Sequence, residues 1–208
     1  MNLSEPLAGI TSEVEAATLR VLARSDAGFS GRQVHQLAGV GSTTSVHRAL
    51  TRFVRVGLVD AESRPPAIIY RPNRRHVLWP VIESALDTRS RVFADLDRFC
   101  REELPGELDL TIVVYGSVAR RESSLESDLD LFVVYPDGID PDAQAEYSYR
   151  LEQHAERLTG NETQIYAVTR SELRRRERDR DPLLASVIAD GIVVHGSQLP
   201  TAQRRRAS

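Results

Sequence analysis

The sequence VVYGSVAR at residues 113–120, followed by SDLDLFVV at residues 127–134, decides the fold expected for the larger part of this chain. The two segments predict an apolar strand, a Gly-Ser turn that begins a short helix, and a second strand that starts with two alternating carboxylates. Side chains at positions i and i+2 of a strand share a face, so Asp128 and Asp130 point the same way and Leu129 points the other way. Because Mg²⁺ takes carboxylate and phosphate oxygens, and the first N–H groups of a helix can cradle phosphates, the pattern favours a magnesium-bound triphosphate.

These residues resemble the signature of nucleotidyltransferases of the DNA polymerase beta superfamily, in particular its minimal prokaryotic members. That signature is Gly-Ser, ten residues, then Asp-x-Asp, and here residues 118–127 separate Gly116-Ser117 from Asp128-Leu129-Asp130. The resemblance implies a mixed sheet of five strands or fewer with helices. It also implies two Mg²⁺ ions, with Mn²⁺ as the alternative, and transfer of a nucleoside monophosphate from an NTP, for which ATP is the expected substrate.

The resemblance also assigns roles to individual residues. Asp128 and Asp130 are the expected catalytic and metal-binding carboxylates. The expected nucleotide-binding residues are Gly116, Ser117, Arg120 and Ser127.

One position departs from the family pattern. Catalysis in the superfamily generally uses a third carboxylate on a neighbouring strand, predicted here at residues 163–168, and its expected position falls near Gln164. A neutral amide cannot act as a general base or supply charge to a metal. Glu162 has the same parity along the strand as Gln164, so it is the candidate for the missing catalytic acid. Arg121 also departs, since a small residue commonly follows the motif arginine.

The amino-acid composition is that of an ordinary globular protein, and it bears on the expected cellular compartment. The 208 residues allow one large or two small domains, and the hydrophobic and charged fractions of 41% and 27% are typical of a soluble globular protein. No apolar run approaches the roughly 18 residues of a membrane span, and the N-terminus lacks a signal pattern. The single cysteine, Cys100, excludes an internal disulfide. A cytoplasmic protein without a membrane partner is predicted.

The N-terminal third is basic and has a different pattern. Residues 30–80 contain eight arginines against Asp60 and Glu62 only, which predicts a surface that faces a polyanion. Helices are predicted at 14–24, at 31–37 and from residue 43 to before Gly57; Ser30 caps the second helix and Ser42 the third. Short strands are predicted at 58–60 and 67–70. This order resembles the winged helix-turn-helix domains of MarR- and ArsR-type regulators.

In that geometry the third helix enters the DNA major groove and the wing lies on the backbone or the minor groove. The buried stripe of this helix is predicted as Val46, Leu50, Phe53 and Val54. The residues expected to bind DNA are Thr44, His47, Arg48, Thr51, Arg52 and Arg55 on the opposite face, and Arg64 at the wing tip. A solvated helix face and a protein-interaction module are the alternatives.

The predicted fold class is therefore α/β with two domains (α+β). The domain boundaries are a winged helix-turn-helix at 1–74, one linker helix or two in tandem at 75–104, a nucleotidyltransferase domain at 105–198 and a disordered tail at 199–208. Strands are expected at 108–115 and 131–135, helices at 142–159, 171–180 and 182–189, and a last strand near residue 193. A homodimer is expected by analogy with winged-helix regulators.

Two functions fit these patterns. The first is Mg-dependent transfer of a nucleoside monophosphate to a hydroxyl of a protein, an RNA or a small molecule, with the DNA-binding domain regulating its own operon. Similarity to the nucleotidyltransferases of toxin–antitoxin pairs favours a partner protein as acceptor. The alternative is a DNA-binding transcriptional regulator whose second domain senses a nucleotide without catalysis. A protein-interaction scaffold with neither activity is the third possibility.

Overall fold

The computed structural model describes residues 1–105 and 108–199. The chain forms two compact units: Asn2 with Ser4–Arg89, and Met1 and Leu3 with the residues from Ser90 onward. Except for Leu199, the predicted disordered tail lies outside the described residues. The segment predicted as a linker contributes helices to both units, and the predicted domain boundaries stay predictions.

The N-terminal unit combines helices with a three-stranded antiparallel sheet of order β1-β3-β2. Its elements are a 3-10 turn at Pro6–Gly9, α1 (Glu13–Leu22), β1 (Phe29–Ser30), α2 (Gly31–Ala38), α3 (Thr43–Arg55), β2 (Val59–Arg64), β3 (Ala67–Pro72) and α4 (Trp79–Leu86). The first strand of this sheet was not predicted from the sequence, since two residues are too few to show an alternating pattern.

Serine caps define where the helices of this unit begin. The Ser30 side chain accepts the backbone N–H of Gln33 at 3.3 Å, while the Gln33 side chain accepts the Ser30 N–H at 2.8 Å. Ser42 caps α3 in the same reciprocal way with Ser45. Both predicted caps are confirmed, and they fix the start of α3 by satisfying N–H groups that have no partner inside the helix.

The buried stripe of α3 differs from the prediction at one position. Val46, Leu50 and Phe53 are buried as predicted, but Ala49 is buried as well and Val54 is only partly buried. Residue 54 lies at the margin of the stripe because the helix advances about 100° per residue. The stripe faces the core of the unit, so the opposite side of α3 remains open to solvent.

The C-terminal unit contains a four-stranded mixed sheet of order β6-β5-β4-β7, in which only the β5–β6 pair is parallel. Its elements are α5 (Thr88–Glu103), β4 (Thr111–Tyr115), α6 (Gly116–Arg120), β5 (Leu129–Tyr135), α7 (Pro141–Thr159), β6 (Thr163–Thr169), α8 (Arg170–Arg178), α9 (Pro182–Asp190) and β7 (Ile192–His195). The small mixed sheet flanked by helices is confirmed. Strand β4 starts later than the predicted 108, because the Leu110 N–H bonds to the Leu108 carbonyl at 2.9 Å in a turn.

The two faces of this sheet carry separate cores. Leu129, Leu131 and Val133 pack in one cluster with residues of α5 and α7. Phe132 and Val134 point the other way and pack in a second cluster with residues of α8 and α9. Because side chains alternate along a strand, Asp130 lies on the face of Phe132, near the start of β5.

Asp97 of α5 forms an ion-pair cluster that gives a pH-dependent prediction. Its Oδ1 lies 2.8 Å from His195 Nδ1 and its Oδ2 lies 2.8 Å from Arg101 Nη2. Burial alone would raise the pKa of Asp97, but hydrogen bonds from His195 and Arg101 bring it below the ordinary value of 3.8. A carboxylate with a lowered folded-state pKa stabilises the fold above its unfolded pKa and loses that contribution as the pH falls through its folded pKa.

The Asp97→Asn variant is therefore expected to lower the free energy of unfolding at pH 7 by about 1 kcal/mol. The difference from the parent protein is expected to shrink as the pH falls below about 4, through the lowered folded-state pKa of Asp97. Urea unfolding followed by circular dichroism between pH 3 and pH 7 measures this, with the exposed Asp179→Asn as control. An Asp97→Asn difference that stays constant over that range would contradict the ion-pair explanation.

Candidate active site

The turn from β4 into α6 packs directly against the start of β5. Tyr115 and Asp130 are register partners in the antiparallel β4–β5 pair. Gly116 follows with φ of +69°, and a Cβ built on it would lie 2.2 Å from Asp130 Oδ2. Position 116 therefore requires glycine for two reasons, its left-handed backbone and the close approach of the carboxylate.

Asp128 and Asp130 form a carboxylate pair beside this turn. Leu129 between them is fully buried, and both aspartates are partly exposed. Burial raises the pKa of Asp130, the charge of Asp128 raises it further, and Arg120 opposes the shift. Two neighbouring carboxylates whose charges repel match the oxygen ligands that a hard divalent cation prefers.

The sequence-predicted third position is occupied by an amide that contacts this pair. Gln164 is the register partner of Asp130 in the parallel β5–β6 pair. Its Nε2 donates a hydrogen bond to Asp128 Oδ2 at 2.6 Å. Gln164 therefore holds one of the oxygens that a cation at this site would use.

Glu162 lies just before β6 and continues the strand pairing through its backbone. Its carbonyl accepts the N–H of Leu129 at 2.8 Å. Among residues 1–105 and 108–199, no group of three or more His, Cys, Asp and Glu side chains is placed to hold a metal ion. The structure thus does not gather Glu162 with the aspartates into such a group, and its catalytic role stays a prediction.

The remaining predicted nucleotide-binding residues surround the turn. Arg120 is held by two acidic groups, with its Nε 2.9 Å from Glu122 Oε2 and its Nη1 3.6 Å from Asp190 Oδ2. Ser127 Oγ accepts the backbone N–H of Ser124 at 2.8 Å. Ser117 is partly buried in the first turn of α6. Arg121 ends this helix in the left-handed conformation, with φ of 61°.

Asn161 supports the aspartate segment and was missed by the sequence reasoning. It is 5% exposed, and its Nδ2 donates to the carbonyl of Ser127 at 2.6 Å and to the carbonyl of Met1 at 2.9 Å. A buried side-chain amide that bridges two distant backbone segments fixes their relative positions. Only its place after Gly160, which ends α7 with φ of 70°, could have drawn attention to it.

In the N-terminal unit, all of the predicted DNA-binding side chains lie at exposed positions, six on α3 and Arg64 at the end of β2. Two of them already have acidic partners. Arg52 pairs with Glu15 of α1, and Arg64 Nε lies 2.7 Å from Glu62 Oε1. The other arginines on α3 are Arg48 and Arg55.

The family comparison concerns the C-terminal unit. Residues 95–195 match the family model described as a nucleotidyltransferase domain, and this segment contains the turn, the aspartate pair and Gln164. This match, which covers just under half of the chain, supports a nucleotidyltransferase domain in that segment. No curated protein matched the sequence. No helix within residues 1–105 and 108–199 has the length and apolar character needed to cross a membrane.

Three solved structures share weaker similarity. A toxin–antitoxin complex with AMP-PNP has 21% identity and a TM-score of 0.35, covering 52% of this chain and 73% of that chain. A mutant of the toxin–antitoxin pair MntA-HpeT has 18% identity and a TM-score of 0.36, covering 51% and 74%. The archaeal chromatin protein TrmBL2 has 13% identity and a TM-score of 0.31, covering 86% and 74%. At these TM-scores, none of them assigns a fold or a partner to this chain.

Proposed function

We propose that the C-terminal unit transfers a nucleoside monophosphate from an NTP, with ATP as the expected substrate, to a hydroxyl of a protein, an RNA or a small molecule. The close approach of Gly116 to Asp130 Oδ2 is the observation that carries this proposal. The Gly-Ser turn and the two carboxylates lie side by side, which is the arrangement that a triphosphate with its cation requires.

Asp128 and Asp130 would hold Mg²⁺, or Mn²⁺ in its place. When bound, the cation neutralises phosphate charge and stabilises the negative charge that develops during transfer. Backbone N–H groups at the Gly116-Ser117 turn and the Ser117 hydroxyl donate hydrogen bonds to the β- and γ-phosphates. Arg120 adds positive charge near the same phosphates.

In this reaction the acceptor oxygen forms a bond to the α-phosphorus while the bond from that phosphorus to the pyrophosphate oxygen breaks. The acceptor hydroxyl must lose its proton, and Glu162 is the proposed base that takes it. Asn161, through the Ser127 carbonyl, holds the segment that positions Asp128 during these steps.

Incubation of the purified protein with each α-labelled NTP and Mg²⁺, alone and with cell lysate, tests this function. We expect the label to move onto an acceptor, and an Asp128→Ala/Asp130→Ala variant to transfer none. Absence of transfer, with Mg-dependent NTP binding still present, would reject catalysis and favour the sensing function described below.

The N-terminal unit is proposed to be a winged helix-turn-helix that binds DNA, acts as a homodimer and regulates its own operon. The capped α3 with its solvent-facing basic side supports this, as does the β2–β3 hairpin that carries Arg64. The acceptor of the transferred nucleotide could then be a partner protein made from the same operon, as in toxin–antitoxin pairs.

An Arg48→Ala/Arg55→Ala variant is expected to bind DNA upstream of its gene more weakly. If both side chains neutralise phosphates, the slope of log K against log salt concentration falls by about two. Titrations by fluorescence anisotropy at several salt concentrations measure this slope, and Arg24→Ala, an exposed arginine outside α3 and the wing, is the control. An unchanged slope would show that the arginines of α3 do not contact the phosphate backbone of the DNA.

The second candidate function is a DNA-binding regulator that senses a nucleotide without transferring it. The hydrogen bond from Gln164 to Asp128 favours this possibility, because the third position carries no negative charge. Under this function MgATP changes the affinity for DNA and no label is transferred.

Glu162→Gln separates the two functions. Loss of transfer with nucleotide binding retained would establish Glu162 as the catalytic acid–base residue, with an expected decrease in rate of roughly 100-fold or more. A single-turnover assay gives the transfer rate, and an equilibrium titration of the same preparation gives the nucleotide affinity. Transfer that survives the substitution would remove Glu162 from the mechanism.

A further inference from the structure

A groove between α8 and α9 has no role in the site described above. Its volume is about 270 Å³, which suits one planar ring system better than a whole nucleotide. Its apolar wall is formed by Leu184, Ala185 and Ile188 of α9. Its charged rim consists of Arg176, Glu177, Arg180 and Asp181.

Arg176 connects this groove to the sheet through a stack of planar groups. The ring of Tyr166 lies parallel to Phe132, with an interplanar angle of 7° and a centroid distance of 5.7 Å. The Arg176 guanidinium lies over the Tyr166 ring, 5.1 Å from its centroid. Asp181 Oδ2 fixes the guanidinium through Nη1 at 2.6 Å. Since Arg176 also lines the groove, it can present a flat cationic surface there.

The groove lies within reach of the phosphate turn. Helix α9 follows its N-cap Asp181 and ends at Asp190, whose carboxylate lies 3.6 Å from Arg120 Nη1. Residues 182–188 of this helix span about 9 Å at 1.5 Å per residue. Tyr166 is two residues from Gln164 on the same face of β6, about 7 Å further along the strand. These lengths match the reach of a ribose and a base from a bound triphosphate.

We propose that this groove binds the nucleobase of the NTP, stacked on the Arg176 guanidinium against the apolar wall of α9. The inference rests on the proposed function, since it adds a base subsite to the same nucleotide site. The Glu177 carboxylate on the rim can accept a hydrogen bond from the amino group of adenine. A purine also presents a larger ring surface to the Arg176 guanidinium than uracil does, so ATP is expected to bind better than UTP.

Calorimetry on the full chain with Mg²⁺ tests the groove by comparing ATP with tripolyphosphate, which lacks the base. Arg176→Ala removes the stacking surface, and Arg178→Ala on the same helix, outside the groove, is the matched control. Because Arg176 also supports the start of α9 through Asp181, Ala185→Trp is a second variant that fills the groove without removing a contact. Ala185 is exposed, so the larger side chain can be accommodated on the helix surface.

Both groove variants are expected to weaken ATP binding roughly 10- to 100-fold, as loss of one base-stacking contact does. Their affinity for tripolyphosphate is expected to stay within about two-fold of the parent, and UTP is expected to bind the parent more weakly than ATP. Equal affinity of the parent for ATP and tripolyphosphate, or parent-like ATP binding by Ala185→Trp, overturns the groove assignment alone. Failure of both ATP and tripolyphosphate to bind the parent with Mg²⁺ removes the proposed function and the groove with it.

Discussion

Replacing Gly116 with alanine is expected to abolish nucleotide transfer while leaving the C-terminal unit folded. The added Cβ would lie 2.2 Å from Asp130 Oδ2, far inside any possible contact distance, so the carboxylate or the turn has to move. The left-handed φ of +69° at this position is also less favourable for alanine than for glycine, by about 1–2 kcal/mol. Either displacement changes the position of the Gly-Ser turn relative to the aspartate pair, which the proposed transfer requires.

We expect transfer from labelled NTP to fall at least about 100-fold, since small misplacements at a reacting centre have effects of this size. The free energy of unfolding is expected to fall by about 1–3 kcal/mol, measured by urea unfolding. Gly138→Ala is the matched control, because Gly138 has φ of +82° but no atom within 4 Å of an added Cβ. It should lose stability and keep transfer activity. A Gly116→Ala protein that transfers nucleotide at a rate near that of the parent would show that the close approach has no role.

The Gln164→Glu substitution is expected to have the second large effect, an increase in the rate of nucleotide transfer. Gln164 Nε2 lies 2.6 Å from Asp128 Oδ2, so the substitution places a third carboxylate group beside the aspartate pair with almost no change of shape. If the domain transfers nucleotides and lacks only a charged ligand here, the transfer rate should rise roughly 10- to 100-fold. The increase should require Mg²⁺.

Stability provides a measurement of the same substitution that does not depend on transfer. Without Mg²⁺, the added negative charge beside Asp128 should lower the free energy of unfolding by about 1 kcal/mol or more. Saturating Mg²⁺ should restore it, because a cation that binds only the folded state stabilises that state. Gln36→Glu on the exposed surface of α2 controls for the change in net charge. If Mg²⁺ restores neither stability nor rate, the site does not hold the cation as proposed.

Local chemistry made much of the fold predictable. Ser30 and Ser42 cap helices as predicted because a serine hydroxyl accepts N–H groups that have no partner inside the helix. For the segment at 75–104 the sequence allowed either one helix or two. The structure has two, because the helical conformation is interrupted between α4 and α5 at Asp87, with φ of −90° and ψ of 9°. No residue there is a strong helix breaker, so only the packing of each helix into its own unit could decide.

The sequence by itself determined the alternation at Asp128, Leu129 and Asp130, since the two-residue period of a strand places carboxylates on one face whatever surrounds them. It also determined that a Gly-Ser turn precedes them at the family spacing. Only the tertiary structure decided which groups meet these carboxylates. Gln164 bonds to Asp128, Asp190 pairs with Arg120 beside them, and Asn161 supports the Ser127 carbonyl. The reason is physical: those partners lie up to 70 residues away along the chain, and strand register and helix packing bring them together, which no local periodicity encodes.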